Sequence, residues 1–126
     1  MIRSKYNELV LDIEEARHGA NVITYEKHEG DNQLWKWKGS VIVSKLGYAL
    51  DVKDGNADAG TNVISWKRHG GQNQQWRMEG DKIISELNGL ALDISGGNKD
   101  SNVEIIVWPL KSADEVDNQS WELEFV

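Results

Sequence analysis

Three aspartates recur in one local context, and their surroundings have the residue types and spacing to do chemistry. Asp12 lies in Leu9-Val10-Leu11-Asp12-Ile13, Asp51 in Tyr48-Ala49-Leu50-Asp51-Val52 and Asp93 in Leu90-Ala91-Leu92-Asp93-Ile94. An aromatic follows each one at similar distance: Tyr25, Trp66 and Trp108. His28 and His69 come three residues after the first two aromatics, and Lys111 takes that offset in the third. Each set ends in Asn-Gln-x-Trp, as Asn32-Gln33-Leu34-Trp35, Asn73-Gln74-Gln75-Trp76 and Asn118-Gln119-Ser120-Trp121. An ionised carboxylate accepts two hydroxyl protons through strong charge-assisted bonds. A flat aromatic ring offers an apolar face. Asn both donates and accepts, as a hydroxyl partner must. A neutral imidazole can accept a hydroxyl proton and an imidazolium cannot, so His28 and His69 predict weaker binding in mild acid. Gln33, Gln74 and Gln119 read first as ties between loop backbone and the Trp strand. His18 has no counterpart and reads as solvated.

The same residues do not read as a catalytic set. Glycoside hydrolysis needs two carboxylates about 5–10 Å apart across one bond. The three aspartates fall in different repeats, and no second acid recurs clearly at an equivalent position. No Ser–His–Asp order repeats, and no His pair has metal-ligand spacing. The chain has no Cys, which removes disulfides, thiolate metal sites and cysteine nucleophiles. No catalytic residue, metal or cofactor is expected.

The elements that must position these groups are three copies of one unit, approximately 1–39, 40–80 and 81–126, in a single domain. Val22-Ile23-Thr24-Tyr25, Val63-Ile64-Ser65-Trp66 and Ile105-Ile106-Val107-Trp108 are a further repeated landmark. Each unit reads as about four short strands. In Leu50-Asp51-Val52 the apolar residues face in and Asp faces out. Trp35 and Trp37 share one strand face, as do Trp76 and Met78, and Trp121 and Leu123, and these faces are expected to pack in the core. Asp54-Gly55-Asn56, Gly70-Gly71 and Ser95-Gly96-Gly97-Asn98 are turn chemistry. A propeller typically needs four to eight blades, and a solenoid needs atypical capping repeats. Three like units must close on themselves, which predicts an all-β chain of about twelve strands with pseudo-threefold symmetry, a barrel capped at one end by hairpins.

With Gln-x-Trp three times and an L-x-L-D-I/V strand upstream of each, the whole chain resembles the R-type (ricin B-like) lectins. The stretch Trp66-Lys67-Arg68-His69-Gly70-Gly71-Gln72-Asn73-Gln74 is most similar to galactose-binding invertebrate and fungal members. The lack of Cys fits those branches. The resemblance implies a β-trefoil and a non-catalytic lectin for terminal galactose or N-acetylgalactosamine at up to three sites. Asp12, Asp51 and Asp93 would be the polar anchors. Tyr25, Trp66 and Trp108 would stack on the sugar. His28, His69, Asn32, Asn73, Asn118 and Lys111 would complete the sites beside Gln33, Gln74 and Gln119. Ile23, Ile64 and Ile106 stand where some members carry a Gln that touches sugar. The third unit lacks the His and gains three residues within Asp114-Glu115-Val116-Asp117, so its specificity should be altered or lost. The rival readings are a trefoil protein-interaction module with vestigial sites and a sugar-targeting module of a toxin or glycosidase.

Composition agrees with a folded binding domain. The chain has 126 residues, 39% hydrophobic and 28% charged, with six Trp and three Tyr against one Phe. Its net charge of −7 opposes binding to nucleic acid or to an anionic membrane surface. No apolar stretch approaches the ~20 residues that span a bilayer. The first residues lack a signal-peptide pattern, so a cytoplasmic location or non-classical release is expected. The expected partners are glycans, glycoproteins or glycolipids, and the sequence leaves room for a homodimer.

Overall fold

The computed structural model describes residues 1–125. Its twelve strands fall into three sets of four. The first set is β1 (Ile2–Ser4), β2 (Val10–Ile13), β3 (Val22–Tyr25) and β4 (Trp35–Lys38). The second is β5 (Val41–Ser44), β6 (Tyr48–Val52), β7 (Val63–Lys67) and β8 (Trp76–Glu79). The third is β9 (Lys82–Ser85), β10 (Ala91–Ile94), β11 (Val103–Trp108) and β12 (Trp121–Leu123). The fold is a β-trefoil.

Strand β4 pairs with β5 across Gly39-Ser40, and β8 with β9 across Gly80-Asp81. Gly39 and Gly80 have φ of 65° and 62°, which suits a residue without a Cβ in a two-residue turn. The third equivalent pair joins the chain ends: β1 pairs with β12 from Ile2↔Leu123 to Ser4↔Trp121. The hairpins β2–β3, β6–β7 and β10–β11 meet one another through Val103↔Thr24 and the bridges Asn21↔Ile64 and Asn62↔Ile106.

One apolar core runs through all three units, with Leu11, Leu50 and Leu92 wholly buried at the same point of each. Trp76 and Trp121 are also buried in it, while Trp35 is half-buried against it. The indole Nε1–H of each donates to the carbonyl of its unit's leucine: Trp35 to Leu11 (3.2 Å), Trp76 to Leu50 (3.0 Å) and Trp121 to Leu92 (3.1 Å). A buried indole needs such a partner, which is why Trp and not Phe closes each repeat.

Two expectations are corrected here. Met78 and Leu123 are exposed, and Trp37 is only half-buried. Strands β4, β8 and β12 are each the last of their sheet, and their later residues run past the core. Asp12, Asp51 and Asp93 do point away from the leucine core, but they are buried rather than solvated, because other side chains cover them.

Candidate functional site

The hairpin register sets the geometry. Asp12 pairs with Ile23, Asp51 with Ile64 and Asp93 with Ile106. Two residues beyond each isoleucine, on the same strand face, stands Tyr25, Trp66 or Trp108. These three aromatics are all exposed. Acid, apolar floor and ring therefore share the outer face of one hairpin.

The Asn-Gln segment folds back over that face. In the first unit Gln33 Nε2 donates to Asp12 Oδ2 (2.9 Å), and Asn32 Nδ2 donates to Asp12 Oδ1 (3.1 Å). In the second, Gln74 Nε2 donates to Asp51 Oδ2 (2.8 Å), while Asn73 Nδ2 reaches the Val52 carbonyl (3.2 Å). In the third, Gln119 Nε2 and Asn118 Nδ2 donate to Asp93 Oδ2 and Oδ1 (2.9 and 3.1 Å). Burial raises all three carboxyl pKa values above the ordinary one. The glutamine hydrogen bond and the nearby His28, His69 or Lys111 oppose that rise.

Gln33, Gln74 and Gln119 are corrected from ligand contacts to positioning residues, because all three are wholly buried and their amides are spent. Each also donates to a backbone carbonyl, of Glu26, Lys67 or Pro109. Each accepts the backbone N–H of His28, His69 or Lys111. Asn118 is corrected on the ground of its amide alone: Nδ2 is spent on Asp93 Oδ1 and the Ile94 carbonyl (3.1 and 2.9 Å), and Oδ1 is taken by Lys111 Nζ at 2.7 Å. Asn32 and Asn73 remain half-exposed.

The histidines act as donors. Nδ1 of His28 accepts the Gly30 N–H, and Nδ1 of His69 accepts the Gly71 N–H, each at 2.9 Å. The neutral ring therefore carries its proton on Nε2, which faces Asp12 at 3.5 Å or Asp51 at 3.7 Å. The ring nitrogen expected to accept from a hydroxyl is instead spent on the glycine N–H, so toward a ligand each ring presents the Nε2 donor. Gly30 and Gly71 permit the arrangement, since a Cβ on either would lie 2.7 Å from the histidine ring and 2.9 Å from the asparagine oxygen.

In the second unit these parts surround a shallow cleft of ≈ 310 Å³ lined by Asp51, Asp54, Gly55, Ile64, Trp66, His69 and Asn73. Asp54 was missed. It sits in a one-turn 3-10 element, Lys53–Gly55, with a left-handed φ of 57°. Glu15 and Gly96 occupy the same place in the other units, with φ of 56° and 67°. Acids thus do recur there in two units, and the fixed three-residue offset from the aspartate was the signal. Read as turn chemistry alone, the segment did not suggest a side chain reaching the cleft.

Each aromatic is braced by the preceding unit. Gly19 N–H donates to Ser65 O (2.9 Å), Gly60 N–H to Val107 O (2.7 Å) and Asn102 N–H to Thr24 O (2.7 Å), just before Trp66, Trp108 and Tyr25. His18 is exposed, as expected, and it also packs on Trp66 with ring centroids 4.3 Å apart.

Comparison with known proteins follows the same lines. The profile of the ricin-type beta-trefoil lectin domain matches residues 1–121. The structure resembles ThreeFoil, a designed threefold-symmetric protein, with 33% identity and a TM-score of 0.89 over 99% of this chain and 96% of that one. It also resembles the C-half of an earthworm R-type lectin solved with GalNAc, at 26% identity and a TM-score of 0.79, covering 96% of this chain and 93% of that one. An exo-beta-1,3-galactanase from Clostridium thermocellum is similar at 28% identity and a TM-score of 0.83, covering 99% of this chain but only 29% of the enzyme. No curated protein matches in a sequence search.

Proposed function

We propose, from the premise that the chain belongs to the ricin-type beta-trefoil lectin family, that its clefts take terminal galactose or N-acetylgalactosamine. The observation that carries this reading is the second cleft, where Asp51, Asn73 and His69 converge opposite the exposed face of Trp66. A carboxylate has about four acceptor positions. The Gln74 amide occupies part of the Asp51 set, and the remainder serve two adjacent sugar hydroxyls. His69 Nε2–H and the Asn73 amide supply further polar contacts, and Trp66 over Ile64 receives the apolar C–H face. The earthworm relative solved with GalNAc supports the choice of sugar.

The chain acts by binding, not by turnover. Asp51 is held as a hydrogen-bond acceptor by Gln74, and its chemistry is that of recognition. Each cleft binds weakly, because a monosaccharide offers few atoms and its hydroxyls must be desolvated. Several clefts on one chain recover affinity for clustered glycans through effective concentration. Retention on galactose-agarose and elution by free galactose test the reading. Passage through the column unretained, with no hit on a glycan array of galactose- and GalNAc-terminated structures, overturns it.

A further inference from the structure

The third unit repeats the parts that surround the second cleft, with Asp93, Ile106 and Trp108 at the matching positions of the paired strands, but its charges differ. At the cleft-lining turn position the second has Asp54 and the third has Gly96. Beside the anchoring carboxylate the second has His69 and the third has Lys111. With a neutral imidazole, the second cleft holds two carboxylates and no cation. The third holds one carboxylate and one ammonium. Both differences favour negative charge in the third cleft. In the first, Glu15 takes the turn position but is paired with Arg17 at 2.9 Å.

Lys111 is placed to use its charge. Its Nζ donates to Asn118 Oδ1 (2.7 Å) and lies 3.9 Å from Asp93 Oδ2. An ammonium has three donors, so at least one stays free, and the side chain is 44% exposed. Nearby, Lys99 Nζ lies 4.7 Å above the ring of Tyr6, whose hydroxyl donates to the carbonyl of Gly97, beside Gly96. Among the acids of the inserted loop, Asp117 acts on Asp93 but is held by the buried Lys82 Nζ at 3.2 Å. Asp114 and Glu115 are exposed.

We infer that the third cleft takes a galactose-class sugar bearing an anionic substituent, a sulfate ester or a carboxylate, and that the second cleft rejects it. This rests on the galactose reading above and assigns a ligand class within it. The test follows the indole N–H signals of Trp66 and Trp108 by NMR in the intact chain. Galactose, galactose 6-sulfate, galactose 3-sulfate, galacturonate and inorganic sulfate are titrated separately. At least one anionic sugar should shift Trp108 at concentrations tenfold or more below those galactose needs, while Trp66 responds to galactose alone. Lys111→Gln should erase that preference and leave the Trp66 titration unchanged. A Trp108 signal that answers galactose and every anionic sugar equally overturns the inference while leaving the galactose reading intact. So does inorganic sulfate matching the anionic sugars, which marks an anion site only. If no sugar moves either indole, the galactose reading falls as well.

Discussion

Replacing Gln74 by Met keeps the side-chain volume and removes every hydrogen bond the amide makes. Three partners lose a contact at once: the Asp51 carboxylate (2.8 Å), the Lys67 carbonyl (2.9 Å) and the His69 N–H (2.9 Å). A bond to a charged group contributes about 1.5–3 kcal/mol and a neutral one about 0.5–1.5 kcal/mol. The set therefore amounts to about 2.5–6 kcal/mol, from a total stability of roughly 5–15 kcal/mol. For a domain of this size that is a fall in melting temperature of about 10–20 °C. Because Gln74 is wholly buried, ligand contact cannot contribute to the loss. Calorimetry reads the melt, and a sugar titration followed at Trp66 reads the cleft. The mutant should melt early and lose the second cleft, with the other clefts working below the new melting point. A melting temperature within about 3 °C of the parent would falsify the positioning role, whatever happens to binding.

Trp76→Ala should cost roughly 3–5 kcal/mol in a denaturant melt, because it empties a buried core site. Trp66→Ala should stay within about 1 kcal/mol of the parent and abolish binding at its cleft. A large loss of stability from Trp66→Ala refutes the platform assignment. For Asp51, the raised folded pKa means that the folded state binds the proton more tightly, so the group's contribution to stability falls as pH rises through the window between the ordinary and the raised value. The parent should therefore gain stability relative to Asp51→Asn on acidification through that window, while sugar binding at Trp66 weakens. Melts of both proteins across that range that move in parallel refute it. Gly71→Ala should lower affinity at the second cleft tenfold or more with little change in melting temperature, because the new Cβ displaces His69 and Asn73. Titration curves matching the parent's count against it. Gly19→Ala, in the first unit, should weaken the second cleft and spare the first, since Gly19 has a φ of +74° and its Cβ position is 3.4 Å from Trp66. Loss at Tyr25 instead would contradict the brace.

The threefold repeat and the twelve strands were legible because every unit restates the same alternation of apolar and polar residues. The grouping of Asp, aromatic, His or Lys and Asn was legible for the same reason, since a spacing kept in all units must serve one geometry. Burial of the aspartates was not. Alternation assigns Asp51 to the face opposite Leu50, but only the chain's return at Gln74 decides whether that face is open. The histidine proton was equally hidden, because it depends on the Gly71 N–H meeting Nδ1, a two-residue contact with no periodic signature. Asp54 escaped because a residue in a left-handed turn looks like punctuation. The His18–Trp66 contact spans 48 positions and joins two units, which no reading of one repeat alone can reveal.

That last contact bears on why the units come in threes. Within a unit, the hairpin and the Asn-Gln segment supply the acid, its amide partners, the imidazole and the ring. The strand segment that carries the ring is hydrogen-bonded at its base by the unit before it: first to second through Gly19, second to third through Gly60, third to first through Asn102. The cycle has no free end. A single unit would present Trp66 without the Gly19 and His18 side of its surroundings, and two units would leave one aromatic unbraced. The apolar core has the same closed form, for β1 completes its pairing only with β12. Closure of the barrel and bracing of the aromatics are therefore one structural requirement. The charges lining each cleft lie outside that requirement, which is why Glu15, Asp54 and Gly96 can differ while the backbone beneath them stays left-handed in all three units.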